Sequence, residues 1–402
     1  MRPRDQRRIV DLVWQQRMRL EALRAGFDGR EGEQIDRAMW RMWEVEDSFQ
    51  SDLRKWHRRP HVLASRVRDR LEELRRIGAF AQTQPTQLQL PVRYWRADLP
   101  DPVPSISIVT PSYGQGRYIE RTIFSVIGQQ YPRLEYVVQD GGSRDETLDV
   151  LRHHGPEITS WESTPDDGMG EALNTGFSRT SGDIMAYINT DDLLLPGSLA
   201  YVARYFAAHP EVDVIYGDRV LIDSHGRKIG MWVLPRHHDD ALILRNFVPQ
   251  ETLFWRRRIW DAVGGRFDTT FKFAVEWDLM LRFREQGAKF AHVPRLLGAF
   301  RVHSAQKTQR QEALGDQESN RLRRRLHGRH VSTEEADTRV TSYRRRHVRA
   351  HFRQRLLDRL ALAHREVRMV PPNAWVRTPQ GQAREAVTTS KPTRQSKAAS
   401  ER

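Results

Sequence analysis

Residues 105–147 read SISIVTPSYGQGRYIERTIFSVIGQQYPRLEYVVQDGGSRDET, and this stretch decides the fold. SISIVTPS is a β-branched run that closes in turn residues, and a helical pattern follows from Tyr118 to Gln129. LEYVVQDGGSRD then repeats the arrangement as strand, glycine turn and a helix opening near Ser143. Downstream, DIMAYINTDD is a third strand with a helix starting near Pro196, and DVIYGD from Asp213 is a fourth. Strands alternating with helices of about ten residues or more predict βαβ units and a mainly parallel sheet. Right-handed crossovers place the carboxyl ends of such strands, and the polar residues there, along one edge. The second half is less regular. Residues 228–255 allow strands or a hairpin, and Glu276–Gln286 reads as helix.

Outside this core the grammar changes. Residues 5–26, 33–58 and 61–79 show apolar residues at three- and four-residue steps, among them Ile35, Met39 and Trp43, and predict three amphipathic helices. Ala81–Pro91 breaks the pattern with Pro85 and uncharged polar residues, which predicts a linker. Within 339–367, Val348, Phe352, Leu356 and Leu360 are spaced by four, which predicts a helix with an apolar seam ended by Pro371 and Pro372. The expected organisation is a helical region over 1–80, a linker over 81–102, an α/β domain over 103–308, a basic helical region over 309–372 and a flexible tail over 373–402.

The 402 residues contain no cysteine, which excludes disulfides, Cys-ligated metal and thiol nucleophiles. No window is apolar for the length a membrane span needs, and the first residues carry no signal-like apolar stretch, so a cytoplasmic protein is expected. Charge is unevenly distributed. Residues 101–300 hold 21 basic and 27 acidic side chains, whereas residues 301–402 hold 24 basic and 10 acidic. Chemistry and partners therefore belong to different parts of the chain.

Polar clusters follow the strands. Thr110-Pro111-Ser112-Tyr113-Gly114 offers an aromatic ring, and Gln139-Asp140-Gly141-Gly142-Ser143 combines a carboxylate with glycines that admit close approach. Neither is a G-x-G-x-x-G or G-x-x-x-x-G-K-[ST] loop, and an ordinary βα turn explains the glycines as well. Asn189-Thr190-Asp191-Asp192 puts four polar residues at the end of a buried strand. Asp191 suits Mg²⁺ or Mn²⁺, while Asp192 is placed either for that loop or to cap the following helix. Asp166 and Asp167 precede a glycine. Glu276 and Asp278 open a helix, where carboxylates two apart do not share a face. His303 follows a short apolar segment.

The order and spacing of these motifs over about 103–308 resemble the family 2 inverting, metal-dependent glycosyltransferases. The resemblance implies a nucleotide-sugar-binding α/β fold of the GT-A type and a nucleoside-diphosphate sugar donor, most often a UDP-sugar. It implies that Thr110, Pro111 and Tyr113 line the nucleoside pocket, that Asp140 beside Gly141 holds the base, and that Asp166 contacts the nucleotide or sugar. Asn189-Thr190-Asp191 takes the place of the family's D-x-D motif, so Asp191 is the expected ligand of Mn²⁺ or Mg²⁺, with Asn189 acting through ribose or water. His303 matches a histidine that approaches the metal or diphosphate. Glu276 falls on the position of the catalytic base and Asp278 on the second carboxylate, with either as the base. Gln250 and Trp255 are expected on the acceptor side, a core tryptophan being the alternative for Trp255.

The reaction so implied is attack of an acceptor hydroxyl on the anomeric carbon opposite the leaving nucleotide. The expected acceptor is a saccharide or lipid-linked saccharide. The basic flanks suggest peripheral contact with the inner face of a membrane or with nucleic acid, including modified DNA as acceptor, and the amphipathic flanks suggest a homodimer. The rival readings are a nucleotidyltransferase and a non-catalytic nucleotide-sugar-binding or scaffold protein, the latter prompted by Asn189 and Glu276.

Overall fold

The computed structural model describes residues 85–95, 98–303, 306, 312–363 and 367–370. The helices expected at 5–26, 33–58 and 61–79, and the tail expected from 373, lie outside the described residues. After a short strand β1 (Gln89–Pro91), the alternation read from the sequence appears as β2 (Ile106–Ser112), α1 (Gly116–Ile127), β3 (Leu134–Asp140), α2 (Thr147–His154), β4 (Ser160–Ser163), α3 (Met169–Phe177) and β5 (Ile184–Tyr187). A two-residue β6 (Leu193–Leu194), α4 (Ser198–Ala208), β7 (Val214–Ile222), β8 (Lys228–Trp232), α5 (Asp239–Leu242), β9 (Phe254–Arg256) and α6 (Arg257–Ala262) follow. The described chain continues with α7 (Val275–Glu285), β10 (Phe290–Arg301), α8 (Glu312–His327), α9 (Thr333–Arg339), α10 (Thr341–Ala363) and β11 (Val367–Met369).

The central sheet runs β4-β3-β2-β5-β9-β7-β10-β6, with β8 paired to β7. The run β4-β3-β2-β5 is parallel, as is β7–β10, and β9 enters antiparallel between β5 and β7. Strands β2, β5 and β7 are buried on both faces, so their apolar residues divide between two cores. Ile184, Ala186 and Ile188 pack with Ile119, Ile123 and Val202 on one face, and Met185 and Tyr187 pack with Trp255, Phe267 and Trp277 on the other. The chain adds β3 on one side of β2 and β5 on the other, so the direction of winding switches between β2 and β5. That switch opens a crevice above their carboxyl ends.

Four local expectations need correction. The helix expected near Ser143 begins only at Thr147, because Asp145 Oδ1 first accepts from the Thr147 amide and hydroxyl. Strand β10 is far longer than the short apolar segment read before His303. Pro294, Arg295 and Gly298 hide it in the sequence, and the register shifts between His292 and Gly298 absorb them. The segment expected as a linker is packed: Leu88 and Leu90 are buried, and β1 pairs with β11 near the far end of the described chain. On α10 the four-spaced seam does not face the core. Phe352 and Leu356 are exposed, and the buried line is instead Tyr343, His347 and His351. Tyr343 wins the inward position by packing its ring 4.6 Å from Phe247.

Candidate active site

Of the residues read as functional, Pro111, Asn189, Asp191 and His303 meet at the turn beyond the carboxyl ends of β2 and β5. After β5, the Asp192 amide donates to the Asn189 carbonyl and closes a turn. Thr122 Oγ1 of α1 binds the carbonyls of Thr190 and Asp192, and Thr190 Oγ1 donates to the Pro111 carbonyl at the end of β2. The turn is therefore held against both α1 and β2, with Asp191 and Asp192 at its tip.

Asp191 is buried, and its Oδ2 lies 3.0 Å from His303 Nε2. Arg301, fully buried on β10, donates through Nε to the Asp191 carbonyl, and its backbone amide donates to Asp192 Oδ1. Burial pushes the Arg301 guanidinium down to about 10, so it stays charged at neutral pH beside the Asp191 turn. Asp192 does not cap α4, whose first turn is preceded by Gly197. Burial foremost, then Asp191 and Glu251, raise the Asp192 pKa well above the carboxylate range.

The loops after β2 and β3 are knotted together. Ser143 Oγ accepts from the Gly114 amide and donates to Asp140 Oδ1, while Asp140 Oδ2 accepts from the Gly142 and Ser143 amides and from Ser163 Oγ. Asp140 is fully buried and spends both oxygens inside the turn. It organises the pocket wall. Thr110 is likewise withdrawn: it is fully buried and hydrogen-bonded to Tyr136 Oη. Pro111 is buried beneath the Asn189 turn, whereas Tyr113 stands 72% exposed at the rim, where a ring can lie against a flat ligand. Asp166 closes over Gly141, where a Cβ would come within 2.8 Å of Asp166 Oδ2, so a side chain there would displace the Asp166 carboxylate. Burial, with Glu171, Asp140 and Asp167 adding to it, outweighs the Gly168 amide and raises the Asp166 pKa.

Glu276 and Asp278 part company, as spacing by two on a helix requires. Glu276 is half-buried, and its Oε1 accepts from Asn246 Nδ2 at 2.9 Å. Asp278 is buried and paired with Arg282 Nε at 2.8 Å and Arg325 Nη1 at 2.6 Å, which removes it from catalysis. Gln250 accepts at Oε1 from Asn189 Nδ2 and donates through Nε2 to the Tyr187 carbonyl, so it anchors the β5 turn rather than facing an acceptor. Trp255 is fully buried among Phe177, Trp260, Phe267 and Phe283, and belongs to the core. The segment 246–250 thus joins the two halves of the site, touching Glu276 at one end and Asn189 at the other. Asn246 and Arg301 were missed in the sequence. Asn246 sits in LILRNFVPQ without periodicity, and Arg301 only two residues before His303 gave a faint signal.

Among the described residues, no group of three or more His, Asp or Glu side chains could hold a metal ion. The donors present are one carboxylate and one imidazole. That set fits Mn²⁺ or Mg²⁺ bound jointly with a diphosphate, since such ions keep several positions for phosphate oxygens and water.

A doubly wound sheet with a carboxylate turn at its switch point belongs to the class of open α/β domains that bind ligands at that crevice. More narrowly, residues 107–271 match the family described as glycosyl transferase family 2, and the chain carries a glycosyltransferase domain of that family with the GT-A fold. Such domains act on nucleotide-sugar donors. The match includes Asp191 and stops short of Glu276 and His303. The chain is 26% identical over 183 residues to a "PGL/p-HBAD biosynthesis glycosyltransferase" of Mycobacterium tuberculosis, covering 44% of this chain and 69% of that protein. It is 28% identical over 215 residues to an uncharacterized glycosyltransferase of Rickettsia typhi, covering 51% of this chain and 66% of that one. Among solved structures it is similar to S. aureus TarS (18% identity, TM-score 0.45, 60% of this chain and 43% of that chain). It is also similar to the mannosyltransferase PcManGT from Pyrobaculum calidifontis (19% identity, TM-score 0.46, 64% and 80%).

Proposed function

We propose that this protein transfers a sugar with inversion from a nucleoside-diphosphate sugar, UDP-linked in the first instance, to a hydroxyl of a saccharide or lipid-linked saccharide. One observation carries the reading: Asp191 with His303 lies at the carboxyl edge of β5, and Glu276 is tied to the same turn through Asn246 and Gln250. Asp191 and His303 would hold a divalent cation, which supplies neutralising charge to the departing diphosphate. Tyr113 would stack on the base, Asp166 would receive a donor hydroxyl, and Asn189 would reach the ribose or a bound water. Glu276, fixed at Oε1 by Asn246, takes the proton from the acceptor hydroxyl as its oxygen attacks the anomeric carbon opposite the nucleotide. Glutamate and aspartate have similar intrinsic pKa values, so the longer side chain is compatible with the base role.

The test is nucleotide release from a panel of UDP-, GDP- and dTDP-sugars with Mn²⁺, for wild type, Asp191→Ala and Glu276→Gln. We expect Glu276→Gln to lower kcat by about 10²–10⁴-fold while UDP binding persists. Turnover equal to background in all three proteins would instead favour the scaffold reading.

The same proposal places the acceptor at an anionic lipid surface. On α10 the exposed Phe352, Leu356 and Leu357 share the outer face with exposed Arg345, Arg346, Arg349 and Arg353, apolar anchors beside cations that complement anionic headgroups. Among the described residues, no helix is long and apolar enough to cross a membrane.

A further inference from the structure

Helix α7 begins without a cap of its own. Its N-cap residue is Ala274, and FKFA before it offers no Ser, Thr, Asp or Asn to receive the free amides of a helix start. A carboxylate from another helix instead holds the amides of the three residues that lead into α7, the last of them the N-cap. Glu318 of α8, only 6% exposed, accepts at Oε1 from the Lys272 amide at 2.7 Å. Its Oε2 accepts from the amides of Phe273 and Ala274, each at 2.8 Å. Three consecutive backbone N–H groups thus converge on one buried side chain, an anion set where a helix amino terminus favours it. Glu276 follows two residues after the last of them.

Two further contacts fix α8 in this position. A Cβ at Gly315 would come within 2.8 Å of Phe273 Cε1, so the glycine lets the loop before α7 lie directly on α8. One turn into α7, Arg325 of α8 holds Asp278 Oδ1. The region is outside the stretch matched by the family and was read from sequence as a basic region apart from the chemistry.

We infer that Glu318 is a positioning residue for Glu276, and that α8 is thereby a working part of the catalytic apparatus. It acts through the amides of residues 272–274: their orientation sets the direction in which α7 departs and hence where the Glu276 carboxylate meets the acceptor hydroxyl. The inference rests on Glu276 being the base. Misplacement of a reacting group by about 1 Å costs on the order of 10²-fold in rate.

The experiment compares full-length wild type, Glu318→Ala, Glu318→Gln and Glu276→Gln. It uses whichever sugar nucleotide in the panel wild type turns over fastest, and measures UDP and GDP binding with Mn²⁺ and amide exchange over 270–278 in parallel. Glu318→Ala is expected to lower kcat at least about tenfold, with donor KM and nucleotide affinity within about twofold of wild type and exchange at 272–274 accelerated. Glu318→Gln keeps a carbonyl acceptor and is expected to recover part of kcat. If Glu276→Gln is inactive while Glu318→Ala and Glu318→Gln keep wild-type kcat, the inference fails and the base assignment stands. If kcat and nucleotide affinity fall while donor KM rises in both Glu318 variants, Glu318 merely supports the fold and the inference fails. Wild-type turnover by Glu276→Gln would overturn the base assignment and the inference with it.

Discussion

His303 Nε2 stands 3.0 Å from Asp191 Oδ2, although 112 residues of chain separate them. Strand β10 creates the contact. It runs parallel to β7, pairs with β6 beside the Asp191 turn, and delivers His303 just past its end. The ring is steadied by Tyr118, whose centroid lies 4.8 Å away.

This pairing predicts metal-dependent nucleotide binding that both residues share. Asp191→Ala should abolish the gain in UDP affinity on adding Mn²⁺, and His303→Gln should reduce it by about tenfold or more. Calorimetric titration of UDP with and without Mn²⁺ checks this. A Mn²⁺ effect that survives both substitutions would remove the pair from the donor site.

Tyr113 is exposed at the crevice rim and contributes nothing visible to the core. Tyr113→Ala should leave the melting temperature unchanged and weaken UDP binding by about 1–3 kcal/mol, the usual worth of base–aromatic stacking. Equal affinity of variant and wild type would show that the base lies elsewhere.

Trp255 has the opposite character. Buried among four aromatic neighbours, its truncation to alanine should cost about 3–5 kcal/mol in denaturant unfolding. Trp255→Phe should retain the fold and the acceptor KM. A folded Trp255→Phe that loses only acceptor binding would restore the sugar-stacking role.

His347 links α10 to pH. It is buried, and burial foremost, with His351 adding to it, moves its pKa from 6.5 down to about 4. Between those values the unfolded chain binds the proton and the folded chain does not, so stability falls as pH drops from 6.5 towards 4. His347→Gln should flatten this dependence by at most about 1.4 kcal/mol per pH unit. Urea melts across that range, with identical slopes for variant and wild type as the adverse result, decide the matter.

The outer face of α10 predicts a salt-sensitive affinity for anionic vesicles. Replacing Phe352, Leu356 and Leu357 together by serine should release the protein from phosphatidylglycerol-containing vesicles in a flotation assay, and neutral vesicles should not bind it. Retention on DNA that matches retention on vesicles would point to a phosphate polyanion as the partner.

The sequence by itself determined the alternation of β2 through β5, the carboxylate turn after β5 and the helix carrying Glu276. These features are local: strand period, turn residues and helix period are written in consecutive positions. Tertiary structure alone decided the partners of two neighbouring acids: Arg282 and Arg325 claim Asp278, and Asn246 meets Glu276. It likewise gave Asp140, Gln250 and Trp255 their partners inside the fold. The same holds for α8, whose Glu318 reaches the start of α7 only once the chain has folded back. Each of those outcomes depends on a partner distant in sequence. Burial makes an unpaired polar group costly and so favours such partners, and a linear pattern does not say which one.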